Sequence, residues 1–397
     1  MHATGPQPGR KESQALNARE YSEESAALDA ELATVIGGWR ATGAPLSEAA
    51  FNSMARRIFA HQLRHNAAYA QFCASLGVTP DALPSRWEEI PPVPVTAFKD
   101  AHLATFDPGR AALRFETSGT TQGRPGVHFM ETATLYDAAL LAGFERAMVS
   151  DGARLRYLNV LARPWELPQS SLAYMMGRIA QTLGDGAASW HVRGDDLLVD
   201  SFAAATRSAI SDNAAVCIAG TAFGLVNLID ALAERREQFT LPEGSRIMET
   251  GGFKGRARVI DRLELYQLLA QRFGIQESAI VAEYGMTELT SQYYDSLESR
   301  GAPERVKSSP PWLRARVLDP SGVALPVGEV GTLVHVDLAN RSSALAIATD
   351  DRGYRTESGF VLLGREERAT LRGCSLDAEA LRASRMPARR ISRITSA

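Results

Sequence analysis

Apolar residues recur at helical spacing over a long first stretch of the chain. From about Tyr21 to Gly77 they return every three to four residues, as in Leu28, Leu32 and Ile36, or Ile58 and Leu63. Residues 1–20 are polar and read as a mobile arm. Pro91-Pro92-Val93-Pro94-Val95 excludes helix, because proline lacks an N–H and restricts the residue before it, so an extended connector is predicted. Arg114-Phe115-Glu116 reads as a short strand, and 132–150 is helical again.

Apolar runs at 156–161, 215–219, 246–250 and 280–284 then read as buried strands, with helices between them, clearest at 225–239 and 258–273. This alternation predicts α/β layers around mostly buried strands. Beyond Lys307 the texture changes. Short strands at 314–318, 331–337 and 360–363 are separated by turns such as Pro320-Ser321-Gly322 and Val327-Gly328-Glu329, which predicts an antiparallel β subregion. The expected organisation is an arm (1–20), one large domain (21–363, β-rich over about 308–363) and a short C-terminal remnant and tail (364–397).

Composition narrows the class. The chain is 45% hydrophobic and 22% charged, with a net charge of −3. No basic face for nucleic acid is implied. No apolar run approaches the ~18 residues of a membrane helix, and the N-terminus lacks a signal-peptide core, so a soluble cytoplasmic protein is expected. Cys73, Cys217 and Cys374 are too few and too widely spaced for a disulfide framework or a zinc site. Cys73 and Cys217 lie in apolar patterns and read as core. Lysine occurs only at Lys11, Lys99, Lys254 and Lys307, while arginine carries nearly all the positive charge. Lysine therefore marks places where a compact ammonium suits better than a planar guanidinium.

Three segments carry candidate chemistry. Thr117-Ser118-Gly119-Thr120-Thr121-Gln122-Gly123 combines hydroxyls with glycines, the composition of a loop whose donors cradle phosphates; an ordinary turn uses the same residues. It lacks the Gly-Lys-Ser/Thr ending of a Walker loop. Glu283-Tyr284-Gly285-Met286-Thr287-Glu288 follows an apolar strand and offers an aromatic ring, a hydroxyl and a carboxylate for a hard cation, although a strand-end turn with a helix-capping Thr fits equally. Thr349-Asp350-Asp351-Arg352-Gly353 reads as a turn whose Asp can accept from ribose hydroxyls or close an Asx-turn.

In this order and spacing the three segments resemble the adenylate-forming superfamily. Pro92 to Lys99, Ser170 to Met175, Gly220-Thr221-Ala222-Phe223, Glu249-Thr250-Gly251-Gly252-Phe253-Lys254-Gly255-Arg256 and Leu371-Arg372-Gly373-Cys374-Ser375-Leu376 sharpen the likeness to the LuxE-type acyl-protein synthetases, relatives of phenylacetate–CoA ligase. The resemblance runs from about residue 85 to 376. It implies the α/β fold of an adenylate-forming large domain, with layered sheets and helices, and a truncated or absent C-terminal lid. It also implies ATP and Mg²⁺, acyl-AMP formation with pyrophosphate release, and acyl transfer to a thiol.

The implied roles are carried by particular residues. Thr117, Ser118, Gly119, Thr120, Thr121 and Gly123 would meet ATP phosphates. Gly251, Gly252, Glu283, Gly285 and Met286 would line the nucleotide pocket, with Tyr284 stacked on adenine. Thr287 would contact the α-phosphate, Glu288 would hold Mg²⁺, and Asp351 with Arg365 would meet the ribose. Lys254 would meet phosphate or simply solvate a loop edge. No lysine follows Arg365, so the lid lysine of the superfamily cannot be assigned; Lys99 and Lys254 are the substitutes to consider.

Cys374, beside Arg372, is a candidate acyl acceptor, because a guanidinium favours the thiolate; a packed structural cysteine is the other reading. His128 and His335 read as structural or surface residues. The acid is expected to be fatty or aromatic, held by residues such as Trp165, Tyr174, Met175, Phe223 and Leu225, which core packing would explain equally well. The acceptor would be the chain's own cysteine, CoA or a carrier protein, with an acyl-CoA reductase as a family-type partner. A phenylacetate-type CoA ligase and a non-catalytic nucleotide-binding relative are the competing readings.

Overall fold

The structure is a computed structural model, and the residues it describes are 9–117, 124–251 and 261–365, with side chains from Glu23 onward. Three helices open the chain: Gly9–Thr42, Glu48–His65 and Ala67–Ser75. The first takes in residues 9–20, which the hydrophobic pattern assigned to an arm. That stretch has no apolar stripe to detect, but it is rich in Lys, Glu, Gln, Ala and Arg, all good helix formers. Ser47 caps the second helix by accepting from the Ala50 N–H at 3.2 Å. Asn66 ends that helix and caps the third, accepting from Tyr69 N–H at 3.1 Å. Each cap is worth about 1 kcal/mol.

Among the described residues, twelve strands join one sheet. Its first half is parallel, in the order Ser189–Trp190, Arg156–Val160, Val216–Thr221, Arg246–Thr250, Ile280–Tyr284. Alternation along these strands feeds two cores. Leu158, Ile218, Ile247 and Ile280 pack with helices Val199–Ser211, Ala222–Glu234 and Arg262–Phe273. Their neighbours Tyr157, Cys217, Met248 and Val281 pack with helices Thr134–Met148 and Ser171–Leu183. Burial on both faces explains why these strands read as unbroken apolar runs. Cys73 and Cys217 are buried, as expected.

The second half is antiparallel. Ile280–Tyr284 pairs with Tyr293–Asp295, followed by Val306–Ser308, Phe360–Arg365, Ala346–Arg355, Gly331–Asp337 and Leu313–Leu318. The strands read as a β subregion therefore continue the same sheet. Thr349–Gly353 is not a turn: it lies inside the strand Ala346–Arg355, with a register shift between Arg352 and Gly353. Its charged Asp-Asp-Arg run hid a strand whose alternate residues are buried. The proline connector pairs parallel to this strand, Val93 opposite Ile347, where a proline's missing N–H is tolerated at a sheet margin. No helix among the described residues is long and apolar enough to cross a membrane.

A buried charge cluster pins the junction of the two halves. Asp295 accepts from the Ala282 N–H at 2.8 Å and from Lys307 Nζ at 2.8 Å, with Arg305 at 3.3 Å. Lys307 also donates to the Ala282 carbonyl at 2.8 Å. The lysine-poor chain thus places one of its four lysines where a compact, fully enclosed cation is needed.

Candidate active site

In open α/β sheets the crevice beyond the carboxyl ends of the strands receives ligands. Here those ends deliver Thr221, Thr250, Gly251 and Tyr284 side by side, with Thr250 opposite Thr221 and Glu283. The Thr250 hydroxyl donates to the Glu283 carboxylate, which burial pushes up to about 7.

Tyr284 joins this end to the antiparallel half. Its hydroxyl donates to Asp351 Oδ2 at 2.7 Å and lies 3.0 Å from His335 Nε2. His335 Nδ1 lies 2.9 Å from the Tyr293 hydroxyl. Because Tyr284 gives its proton to Asp351, His335 donates from Nε2. Burial holds the ring neutral, down to about 3, which leaves Nδ1 an acceptor facing the Tyr293 hydroxyl, a group that also donates to the Arg314 carbonyl at 3.2 Å. Asp351 Oδ1 accepts from Arg365 Nε at 3.0 Å. Arg365 follows Gly364, whose φ of 118° a side chain would resist.

The loop between Tyr284 and Tyr293 carries Thr287 and Glu288. Its anchor is Asp337, which accepts from the Ser291 and Thr290 amides at 2.8 and 3.1 Å, the Ser291 hydroxyl at 2.9 Å and the Ala339 amide at 2.9 Å. Asn340 adds bonds to Thr290 N–H (2.7 Å) and to the Glu288 carbonyl (2.9 Å). No helix follows Thr287, so the helix-capping reading fails.

His128 ties the loop to the hairpin Leu113–Glu116/Val127–Met130, which brackets the glycine/threonine segment. The buried ring, held down to about 4 by desolvation, lies with Nδ1 2.9 Å from the Thr287 carbonyl. A carbonyl only accepts, so Nδ1 carries the hydrogen. Thr117, expected at phosphate, spends its groups on closing the hairpin: its N–H donates to the Gly126 carbonyl at 2.9 Å and its hydroxyl accepts from Gly126 N–H at 2.8 Å.

Glu288 is 5% exposed. Burial pushes its carboxyl up to about 7, against the pull of Arg365 and Lys99 and with the push of Asp351. The Glu288, Asp351, Arg365 and Lys99 charges therefore share one neighbourhood. A buried carboxyl poised near neutrality gains its charge when a cation arrives, and one carboxylate plus nucleotide phosphates is the donor set Mg²⁺ takes. The fit is chemical and local: the residues present suit that ion.

Gly285 is constrained at this site. A Cβ there would meet Glu283 Oε1, on a carboxylate whose other oxygen, Oε2, accepts from the Thr250 hydroxyl. Gly285→Ala is therefore expected to displace the Glu283 carboxylate and lower the melting temperature, which a melting curve beside that of the wild type checks.

The structure thus brings together Glu283, Tyr284, Gly285, Met286, Thr287, Glu288, Asp351 and Arg365, with Gly251 at the neighbouring strand end and Thr117 linked through the hairpin. Ser118, Gly119, Thr120, Thr121, Gly123, Gly252, Lys254 and Cys374 lie outside the described residues. Met175 and Leu225, expected in an acid pocket, are core residues. Trp165 and Tyr174 instead line, with Trp190, an open cavity of about 740 Å³ beside helix Ser171–Leu183. His128 and His335 are structural, as one of the two readings had it, but they serve the site itself. Asp337 and Asn340 were not singled out, and only their setting after an apolar strand, in Asp337-Leu338-Ala339-Asn340, hinted at an anchoring turn.

The fold is that of the adenylate-forming enzymes. The fold matches 2-hydroxyisobutyryl-CoA ligase, solved in an open conformation with 2-HIB-AMP and CoA, at a TM-score of 0.59 and 16% identity, over 82% of this chain and 76% of that one. Residues 189–381 match the family model described as "Acyl-protein synthetase, LuxE". The long-chain-fatty-acid–luciferin-component ligase of Vibrio harveyi is 23% identical over 330 residues, 80% of this chain and 84% of that protein. Its namesake from Aliivibrio fischeri is 29% identical over 146 residues, 36% of this chain and 37% of that protein. Over residues 189–381 the chain is thus similar to the LuxE-type acyl-protein synthetases, and it shares the fold of adenylate-forming ligases.

Proposed function

We propose that this enzyme activates a carboxylic acid with ATP, forming acyl-AMP and pyrophosphate, and passes the acyl group to a thiol. The observation that carries the reading is the enclosed carboxyl of Glu288 near Lys99 and Arg365, on a loop pinned by Asp337 and tied through His128 to the hairpin that brackets residues 118–123. The first step needs alignment and charge neutralisation more than covalent help. In this reading the 118–123 segment holds the departing phosphates, with Thr287 on the α-phosphate and Glu288 holding Mg²⁺. When bound, Mg²⁺ neutralises phosphate charge.

Asp351 accepts from the ribose hydroxyls, its position fixed by Tyr284 and Arg365. Gly251 and Tyr284 border the adenine. Tyr284 packs against Phe360 and His335, so its ring is rigid before nucleotide arrives. Lys99, on helix Ala97–Asp100, is the cation we assign to the attacking carboxylate. The acid we favour is a fatty acid, the substrate class in the names of the curated relatives.

For the second step we favour Cys374 as acceptor, its sulfur attacking the acyl carbon and AMP leaving. A radiolabelled acid supplied with ATP should yield acyl-AMP and a hydroxylamine-sensitive label on the protein. Cys374→Ala should keep the former and lose the latter. Label persisting on the variant would overturn the cysteine assignment. AMP release that requires added CoA would make CoA the acceptor.

A further inference from the structure

Outside the nucleotide site, three ligating side chains converge between the first two helices. His61 and His65 are four residues apart on Glu48–His65, and therefore on one face of that helix. Glu24 comes from Gly9–Thr42. Its Oε2 lies 3.2 Å from His61 Nδ1 and 3.6 Å from His65 Nε2. The three donor atoms lie within 4.8 Å of one another. Tetrahedral ligands at about 2.0–2.1 Å from Zn²⁺ stand roughly 3.3 Å apart, so the carboxylate is already at ligand spacing from both rings.

We infer that Glu24, His61 and His65 form a binding site for a divalent transition-metal ion, with Zn²⁺ the ion their two-imidazole, one-carboxylate donor set suits.

The surroundings fit this role. Arg64 pairs with the other carboxylate oxygen, Oε1, which fixes the orientation of Glu24 and leaves Oε2 directed at the rings. Outer contacts of this kind orient metal ligands. His61 is enclosed, while the side chains of His65 and Glu24 are 28% and 39% exposed, which opens a path and a fourth position for water. Arg57 and Arg341, the other cations nearby, are each committed to carboxylates: Arg57 to Glu31, and Arg341 to Asp29 and Glu131. Burial holds both histidines below their ordinary value, in the neutral form that ligates. A bound ion would staple Gly9–Thr42 to Glu48–His65 and link metal occupancy to the stability of the helical layer.

The test is Zn²⁺ binding to the chelator-stripped full chain without ATP, followed by equilibrium dialysis and by thermal unfolding. The wild type should bind one more equivalent of Zn²⁺ than either Glu24→Gln or His65→Ala, and Zn²⁺ should raise its Tm more than theirs. Both substitutions fall at partly exposed positions, and unfolding in EDTA shows whether each variant remains folded. Should His65→Ala fail to fold, Glu24→Gln decides alone. Equal stoichiometry and equal Tm shifts in wild type and Glu24→Gln would overturn the inference, as would no Zn²⁺ binding by the wild type.

Discussion

Glu288→Gln should lower acid-dependent pyrophosphate exchange by about 10²–10³-fold, the usual effect of removing a group that stabilises developing charge. The carboxamide keeps the size of the side chain, and Glu288 is held by its loop through the Asn340 bond to its carbonyl, so the fold should survive. The pH dependence is the sharper part of this result. Burial raises the Glu288 carboxyl to about 7, so below that pH it is protonated in the nucleotide-free enzyme. Mg²⁺ must then displace a proton. Affinity for Mg·ATP should fall by up to about tenfold per pH unit below about 7 and level off above it. Glu283 is also raised to about 7, but it is engaged by Thr250. Glu288→Gln should therefore flatten most of the pH dependence. Titrations of Mg·ATP at several pH values check this, and an unchanged slope in the variant would move the ionisation to Glu283.

Asp337→Ala should cost the largest stability of any single substitution near the site, about 3–5 kcal/mol. One buried carboxylate accepts four hydrogen bonds there, from Thr290, Ser291 (twice) and Ala339. Removing it leaves buried donors unpaired at about 1–3 kcal/mol each, partly relieved by relaxation and water. The loop carrying Thr287 and Glu288 should loosen with it. The expected outcome is a lower denaturant midpoint together with a raised KM for ATP. A variant as stable as the wild type would show that the loop has another anchor.

How much of this was legible beforehand follows from the physics of each element. The parallel strands were visible because burial on both faces demands continuous apolar runs, and 246–250 and 280–284 emerge with the bounds expected. The strand through Asp351 was missed because its buried positions alternate with Asp350, Arg352 and other polar residues, and charge there reads as a turn. Its alternation makes sense only once Tyr284, His335 and Arg365 are seen around it. The roles of Asp337, His128 and His335 lie chiefly in contacts between residues 42 to 159 positions apart, which no local pattern encodes. Tyr-Gly-Met-Thr-Glu was recognisable because its chemistry is contiguous. The acid pocket was not, since Met175 and Leu225 have the same apolar character as pocket residues and are core.

The central claim is that this site adenylates a carboxylic acid, and ATP–pyrophosphate exchange measured across fatty, aromatic and amino acids tests it most directly. Exchange should require Mg²⁺ and a particular class of acid, be strongest with fatty acids, and be lost in Glu288→Gln. ATP binding with no exchange for any acid in the panel would contradict it.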